Sequence, residues 1–197
     1  MRYAPEHKQE TRARVLKEAA KAIRAQGVQK VGVAEVMSRA GLTHGGFYAH
    51  FGSRDDLIAQ AIDQMFLEGA DQIKALSEGR SPAEGLVSYI GFYLSRAHCD
   101  ARGAGCPIPF LSADAPRLNE TARARTALGM RQLIDALAAL FARMEHPAPL
   151  EAASSLLSEL VGAVCMARIE LDFERSELIL MRARRGVLAR FGLATSS

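Results

Sequence analysis

Apolar residues recur every three to four positions along almost the whole chain, and the strict alternation that marks a half-buried strand is nearly absent. The first amphipathic stretch runs from about Pro5 to Gln26, carries Val15, Leu16, Ala19, Ala20 and Ile23 on one face, and stops at Gly27. A short second helix is expected after Gly32, with Val33, Val36 and Met37 inward and Gly41 at its end. Thr43 suits an N-cap, so a third short helix is expected from His44 to about His50. Ser53, with Asp56 three residues on, has the form of a capping box. It opens a long fourth helix in which Leu57, Ile58, Ala61, Ile62, Met65, Phe66, Ile73 and Leu76 keep helical spacing.

"SPAEGL" at Ser81 combines a Ser cap, Pro82 at the first helical position and Glu84 to complete the box. This helix is expected to reach about His98. "DARGAGCPIPFLSADAP" then breaks the pattern and predicts a loop around a short helical turn, followed by a long helix from about Pro116 to Met144. Two more helices close the chain: one spans Leu150 to Ile169, and the other contains Leu178, Ile179, Leu180, Val187, Leu188 and Phe191. Both are apolar over so much of their circumference that several sides need cover, and a second copy of the chain is an economical cover. The expectation is an all-α protein of about nine helices. Its three-helix N-terminal domain, residues 6–66, is joined through the long fourth helix to a helical domain, residues 67–197.

Charge changes this picture more than composition does. Up to Arg54 there are ten Lys or Arg against four Glu, while the rest of the chain has fifteen basic and eighteen acidic residues. A basic end on a slightly acidic body suits contact with a polyanion; a solvated charged helix face is the plainer alternative. No apolar run approaches the roughly 20 residues of a membrane span, and the first residues have no signal-peptide core. Three cysteines, Cys99, Cys106 and Cys165, are too few for a disulfide framework. A cytoplasmic protein with no membrane partner is expected.

Short helices with a tight glycine-containing turn between the second and third have the form of a helix-turn-helix, which presents the third helix to the DNA major groove. The stretch "VAEVMSRAGLTHGGFYAHFGSRDDL" closely resembles the TetR/AcrR family of bacterial transcriptional regulators, over about Thr11 to Ile62. The resemblance implies a DNA surface made of Gly32, Thr43, His44, Gly45, Gly46, Tyr48, His50 and Arg54. Thr43 would cap the recognition helix and meet a phosphate, and His44 would read a base edge. Tyr48 would hold a phosphate and His50 backbone or base, Arg54 would clamp a phosphate where the family usually has Lys, and Phe47 and Phe51 would pack inward. Gly45 would let the helix lie close to the duplex. The chain departs from the family pattern at Gly32, where a Thr is frequent, and at Gly46, where Ala, Thr or Ser is usual.

The same resemblance implies a homodimer through the last two helices, a palindromic double-stranded DNA operator, and a small-molecule effector that releases a repressor from DNA. Met65, Phe66, Tyr89, Phe92, Tyr93, Cys106, Phe110 and Met130 are candidates for an effector pocket, since aromatic and Met side chains make adaptable apolar cavities. Cys99 and Cys106, seven positions apart in "HCDARGAGCPIP", offer a second switch: a disulfide, or a redox- or electrophile-sensing thiol at Cys106. His98 beside Cys99 lacks a convincing set of metal ligands, and no cofactor is expected. An all-helical enzyme is the competing class, but neither a nucleophile elbow nor a phosphate loop supports it.

Overall fold

The computed structural model describes residues 5–193; among them are nine α-helices, three short 3-10 segments and no strand. The helices are α1 (Pro5–Gln26), α2 (Val33–Arg39), α3 (Arg54–Ser77), α4 (Pro82–Tyr93), α5 (Arg96–Asp100), α6 (Ile108–Asp114), α7 (Glu120–Arg143), α8 (Pro149–Ile169) and α9 (Phe173–Arg190). The 3-10 segments are Val28–Lys30, His44–Ala49 and Ala115–Arg117. The chain is all-α, as its periodicity indicates.

Several boundaries follow from caps that the sequence displays. Ser81 accepts from the Glu84 amide at 3.3 Å and its own amide donates to the Glu84 carboxylate at 2.9 Å, the reciprocal pair of a capping box. At Ser53 the hydroxyl accepts from the Asp56 amide at 3.0 Å, but the Asp56 carboxylate reaches one residue further back, to the Gly52 amide at 3.0 Å. The helix expected to run to His98 stops at Tyr93 instead. Ser95 donates its hydroxyl to Phe92 O at 2.7 Å and accepts from the His98 amide at 3.2 Å, so one side chain ends α4 and caps α5. Similarly, the long helix placed from Pro116 begins only at Glu120, where the Asn119 side chain accepts from the Ala122 amide at 2.8 Å.

Two compact units divide the chain: residues through Leu67 together with Arg102–Gly129, and Glu68–Ala101 together with the residues from Met130 on. The segment 102–129 thus clusters with the N-terminal helices. In the first unit Val15, Ala19, Ala20 and Ile23 of α1, Val36 and Met37 of α2, and Leu57, Ala61, Ile62 and Met65 of α3 are fully buried around Phe47 and Phe51. Leu16 of the α1 stripe is only half-buried. Gly129 of α7 lies against the Phe66 ring so closely that a Cβ there would overlap it.

The second unit is built on α8 packed along α9, with Leu156, Leu160 and Val164 of α8 and Leu180 and Val187 of α9 inside. Arg96 ties α5 to α9: it pairs with Asp100, donates to the Ser176 hydroxyl at 2.8 Å, and lies 5.7 Å from the Phe173 ring centre. By length and composition alone α8 is apolar enough to cross a bilayer, with a mean hydropathy of 1.4, although Glu159 and several serines interrupt its apolar run. Its inward residues account for part of that apolarity; Met166 and Ile169 remain exposed.

Candidate nucleic-acid interface

The turn after α2 is set by local hydrogen bonds. Gly41 N donates to Ser38 O at 2.9 Å and Leu42 N to Met37 O at 2.9 Å, with Gly41 at φ +71°, a conformation that a side chain disfavours. Thr43 is then extended, and its carbonyl accepts from Gly46 N at 3.1 Å to start the next segment. The Thr43 hydroxyl makes no capping bond, contrary to the role expected for it, and the residue lies exposed.

The segment where the recognition helix is expected winds as a 3-10 helix, His44–Ala49. Two adjacent glycines weaken α-helix formation by roughly 1 kcal/mol each, so a short helix carrying both depends on packing. Phe47 and Phe51, each 2% exposed and with ring centres 5.6 Å apart, supply that packing. Tyr48, whose ring meets Phe47 edge-on at 5.2 Å, is 74% exposed. His44 and Gly45 are exposed beside it.

The protein's own packing gives no reason for glycine at 45 or 46. A Cβ at Gly45 would meet nothing within 4 Å, one at Gly46 would touch only Met37 and Thr43 at an ordinary 3.8 Å, and neither residue has a left-handed φ. Gly32, the N-cap of α2 at φ −93°, is likewise open and offers only its backbone.

The end of this segment is held by a polar chain that sequence reasoning missed. Arg12 of α1 donates through Nε to His50 O at 3.4 Å, bonds the Gln60 side chain, and places its guanidinium 5.1 Å from the Phe51 ring centre. Gln60 in turn donates to Asp56 at 2.7 Å, and this bond, with the one from Gly52, holds the Asp56 carboxyl below the usual carboxylate range. His50 is half-buried, and burial followed by the Lys8 and Arg12 cations lowers its pKa, which keeps the ring neutral near pH 7.

Arg54, expected as a phosphate clamp, is engaged within the protein. Its Nε donates to Val31 O at 3.0 Å and its NH2 group to Val28 O at 2.7 Å and Gln29 O at 3.2 Å, so most of its donors face the protein. The count of basic residues overstates the cationic surface in the same way. Lys21 pairs with Glu18 and Arg39 with Glu35, Arg12 turns inward, and Arg2 lies outside the described residues.

Residues 15–61 match the family described as "Bacterial regulatory proteins, tetR family". The N-terminal region of the chain is thus similar to the DNA-binding part of the TetR family. It is 28% identical over 186 residues, 90% of this chain and 94% of the other, to an uncharacterized HTH-type transcriptional regulator of Mycobacterium tuberculosis. Over 86 residues, 44% of this chain and 40% of the other, it is 30% identical to the HTH-type transcriptional regulator TtgR of Pseudomonas putida. The crystal structure of the reduced form of Escherichia coli NemR shares its fold, with a TM-score of 0.79 at 21% identity over 91% of this chain and 97% of that one. The family match and the named relatives support a DNA-binding transcription regulator.

The expected effector-pocket residues are not brought together in either unit. Met65, Phe66, Cys106 and Phe110 belong to the first unit, and Tyr89, Phe92, Tyr93 and Met130 to the second. Met65, Phe66, Tyr89 and Tyr93 are packed core, while Met130 is 38% exposed. A groove of about 350 Å³ in the second unit is lined by Ala70, Ile73, Lys74, Ser77, Glu78, Ala136, Leu140 and Arg143, none of them in the expected set. Cys99 and Cys106 are both buried and fall in different units. Burial pushes the Cys165 thiol pKa up. Among the described residues no cluster of His, Cys, Asp or Glu could hold a metal.

Proposed function

We propose that this regulator is a cytoplasmic, effector-responsive repressor that binds a palindromic operator as a homodimer. DNA contact through Thr43, His44, Gly45, Gly46, Tyr48 and His50 is supported by one observation above the others: the segment carries exposed polar side chains and two glycines that its own fold does not require. A backbone that comes close to a duplex would use such bareness. Dimerisation is supported by the exposed apolar side chains of the second unit: Met166 and Ile169 on α8, Leu171 after it, and Phe173 and Met181 on α9. An isologous pair of such faces gives a two-fold axis, and two recognition segments related by it call for a palindrome. A repressor released by a ligand then requires only that the ligand favour a conformation whose two segments mismatch the half-sites. The thiol-sensor reading has no comparable support, because Cys106 is buried.

Selection from a random duplex pool, with sedimentation of the protein alone and on the selected DNA, tests this reading. A palindromic consensus bound by two chains, with affinity falling steeply in salt by about 0.9 in log–log slope per phosphate contact, is the expected result. A monomer in solution that selects no sequence overturns it.

A further inference from the structure

We infer that Arg54 and Asp114 form a clamp that positions the start of α2, and that Arg54 serves DNA binding through this bracing instead of by holding a phosphate. The residues clamped are the 3-10 turn Val28–Lys30 and Val31 after it, immediately before the N-cap Gly32 of α2. Such a turn leaves its first amides and last carbonyls unpaired within itself. Gly27, which precedes it, has no side chain to cap it. The missing acceptor comes from Asp114, 86 positions along the chain, whose carboxylate accepts from Val28 N at 2.8 Å. At φ +82°, Gly27 leaves room for that carboxylate: a Cβ there would stand 3.0 Å from the Asp114 oxygen.

The carbonyl end is satisfied by Arg54, the first residue of α3, which bonds Val28 O, Gln29 O and Val31 O. An anion thus sits at the amide end of the turn and a cation at the carbonyl end, the arrangement that the peptide dipoles favour. Val28 and Val31 are buried between these two anchors. Three carbonyls held from two nitrogens demand the planar fork of a guanidinium; an ammonium on a flexible stem cannot reproduce it. From Gly32 the chain passes through seven residues of α2 and the Gly41 turn into His44–Ala49. A displaced turn therefore displaces the recognition segment. Asp114 closes α6, so the clamp also gives the segment 102–129 a direct polar hold on the DNA-binding helices.

The two roles of Arg54 separate in one set of variants, Arg54→Lys, Arg54→Ala, Asp114→Ala and Asp114→Asn. Each is read by residue-resolved amide exchange in the absence of DNA and by affinity for a mixed-sequence 30-base-pair duplex as a function of salt. As a brace, Arg54→Lys and Asp114→Ala speed exchange across residues 28–36 by about tenfold or more. They weaken duplex binding by about fivefold or more, with the wild-type salt slope, because no phosphate contact is lost. Asp114→Asn keeps an acceptor oxygen and stays within about twofold of wild type in both readouts. Wild-type exchange and affinity in Arg54→Lys, together with a slope shallower by about 0.9 in Arg54→Ala, make Arg54 a phosphate clamp and overturn the inference. Unchanged exchange in Asp114→Ala removes the anionic jaw, and faster exchange with unchanged affinity shows that the turn does not position the DNA surface; either result also overturns it. The inference rests on DNA binding by the helix-turn-helix. A wild-type protein that fails to retain the duplex at low salt counts against that reading, while the exchange data still test the clamp.

Discussion

The segment around His44–Ala49 and the helix pair α8–α9 both present to solvent what a folded chain usually avoids, but of opposite chemistry. The first exposes a Tyr, a His and a bare glycine, with a second glycine half-buried, over a pair of buried Phe rings; the second exposes Met, Ile, Leu and Phe along helices that are otherwise well packed. Neither surface is explained by the stability of its own unit, because solvated glycine weakens a helix and solvated large apolar groups contribute little burial. Each points to a partner. A bare polar surface admits a charged, closely approaching backbone, whereas an apolar surface gains most from another apolar surface, and an identical one is always at hand.

The comparison breaks most severely if the rings beneath the first surface are removed. Phe51→Ala should cost about 3–5 kcal/mol, as buried Phe truncations do, and abolish DNA retention for every sequence. Calorimetry with a filter-binding assay measures both; a stable Phe51→Ala protein that binds normally would mean that the recognition segment is not held as described.

At the second surface, Met166→Glu combined with Met181→Glu places unpaired charges where apolar cover is expected, at sites already in solvent. Melting of the single chain should shift little, since exposed substitutions usually stay within about 0.5 kcal/mol. Sedimentation should show monomers, and operator affinity should fall by about a hundredfold as the second half-site contact is lost. An unaltered dimer would remove α8 and α9 as its interface.

Glycine sharpens the contrast further. Gly129→Ala places a methyl group in the Phe66 ring and should cost about 1–3 kcal/mol through overpacking. Gly45→Ala meets nothing and should stabilise the segment by up to about 1 kcal/mol while weakening operator binding about tenfold. Thermal melts of both variants beside a binding titration decide it. A Gly45→Ala protein that binds as wild type does would leave that glycine without a role at the DNA surface.

The smallest effect expected is in the pH dependence. Burial lowers the pKa of His98, opposed by its bond to Tyr93 O at 2.7 Å and aided by the Arg168 cation. A histidine whose folded pKa is depressed favours the neutral ring, so its contribution is present above the unfolded value of about 6.5 and is lost as pH falls through that value toward the folded one. Melting temperature should decline between pH 7 and 5, and His98→Gln should flatten that decline whatever it does to the absolute stability.

Much of the candidate site was legible because its signals are short-range. Thr43-His44-Gly45-Gly46 and the aromatic spacing after them mark a turn and a weak helix from neighbours within four residues. The hydrogen bonds of Arg54 were not legible, since only the fold brings the carbonyls of residues 28–31 to it. The eight residues grouped as an effector pocket were chosen by side-chain type, and type does not distinguish a cavity wall from a packed core such as Tyr89 and Tyr93.

By itself the sequence determined the all-helical class, the glycine stops, the Ser81 cap and the helix-turn-helix, because hydrogen bonds along a helix and side-chain periodicity repeat within a few residues. Only the tertiary structure decided that Asp114 reaches Val28, that Arg12 holds His50, that Arg54 turns inward, and that residues 102–129 pack with the first unit. Those hydrogen bonds join positions 23 to 86 apart, and such pairings are fixed by how whole helices bury their apolar faces, which no local pattern records.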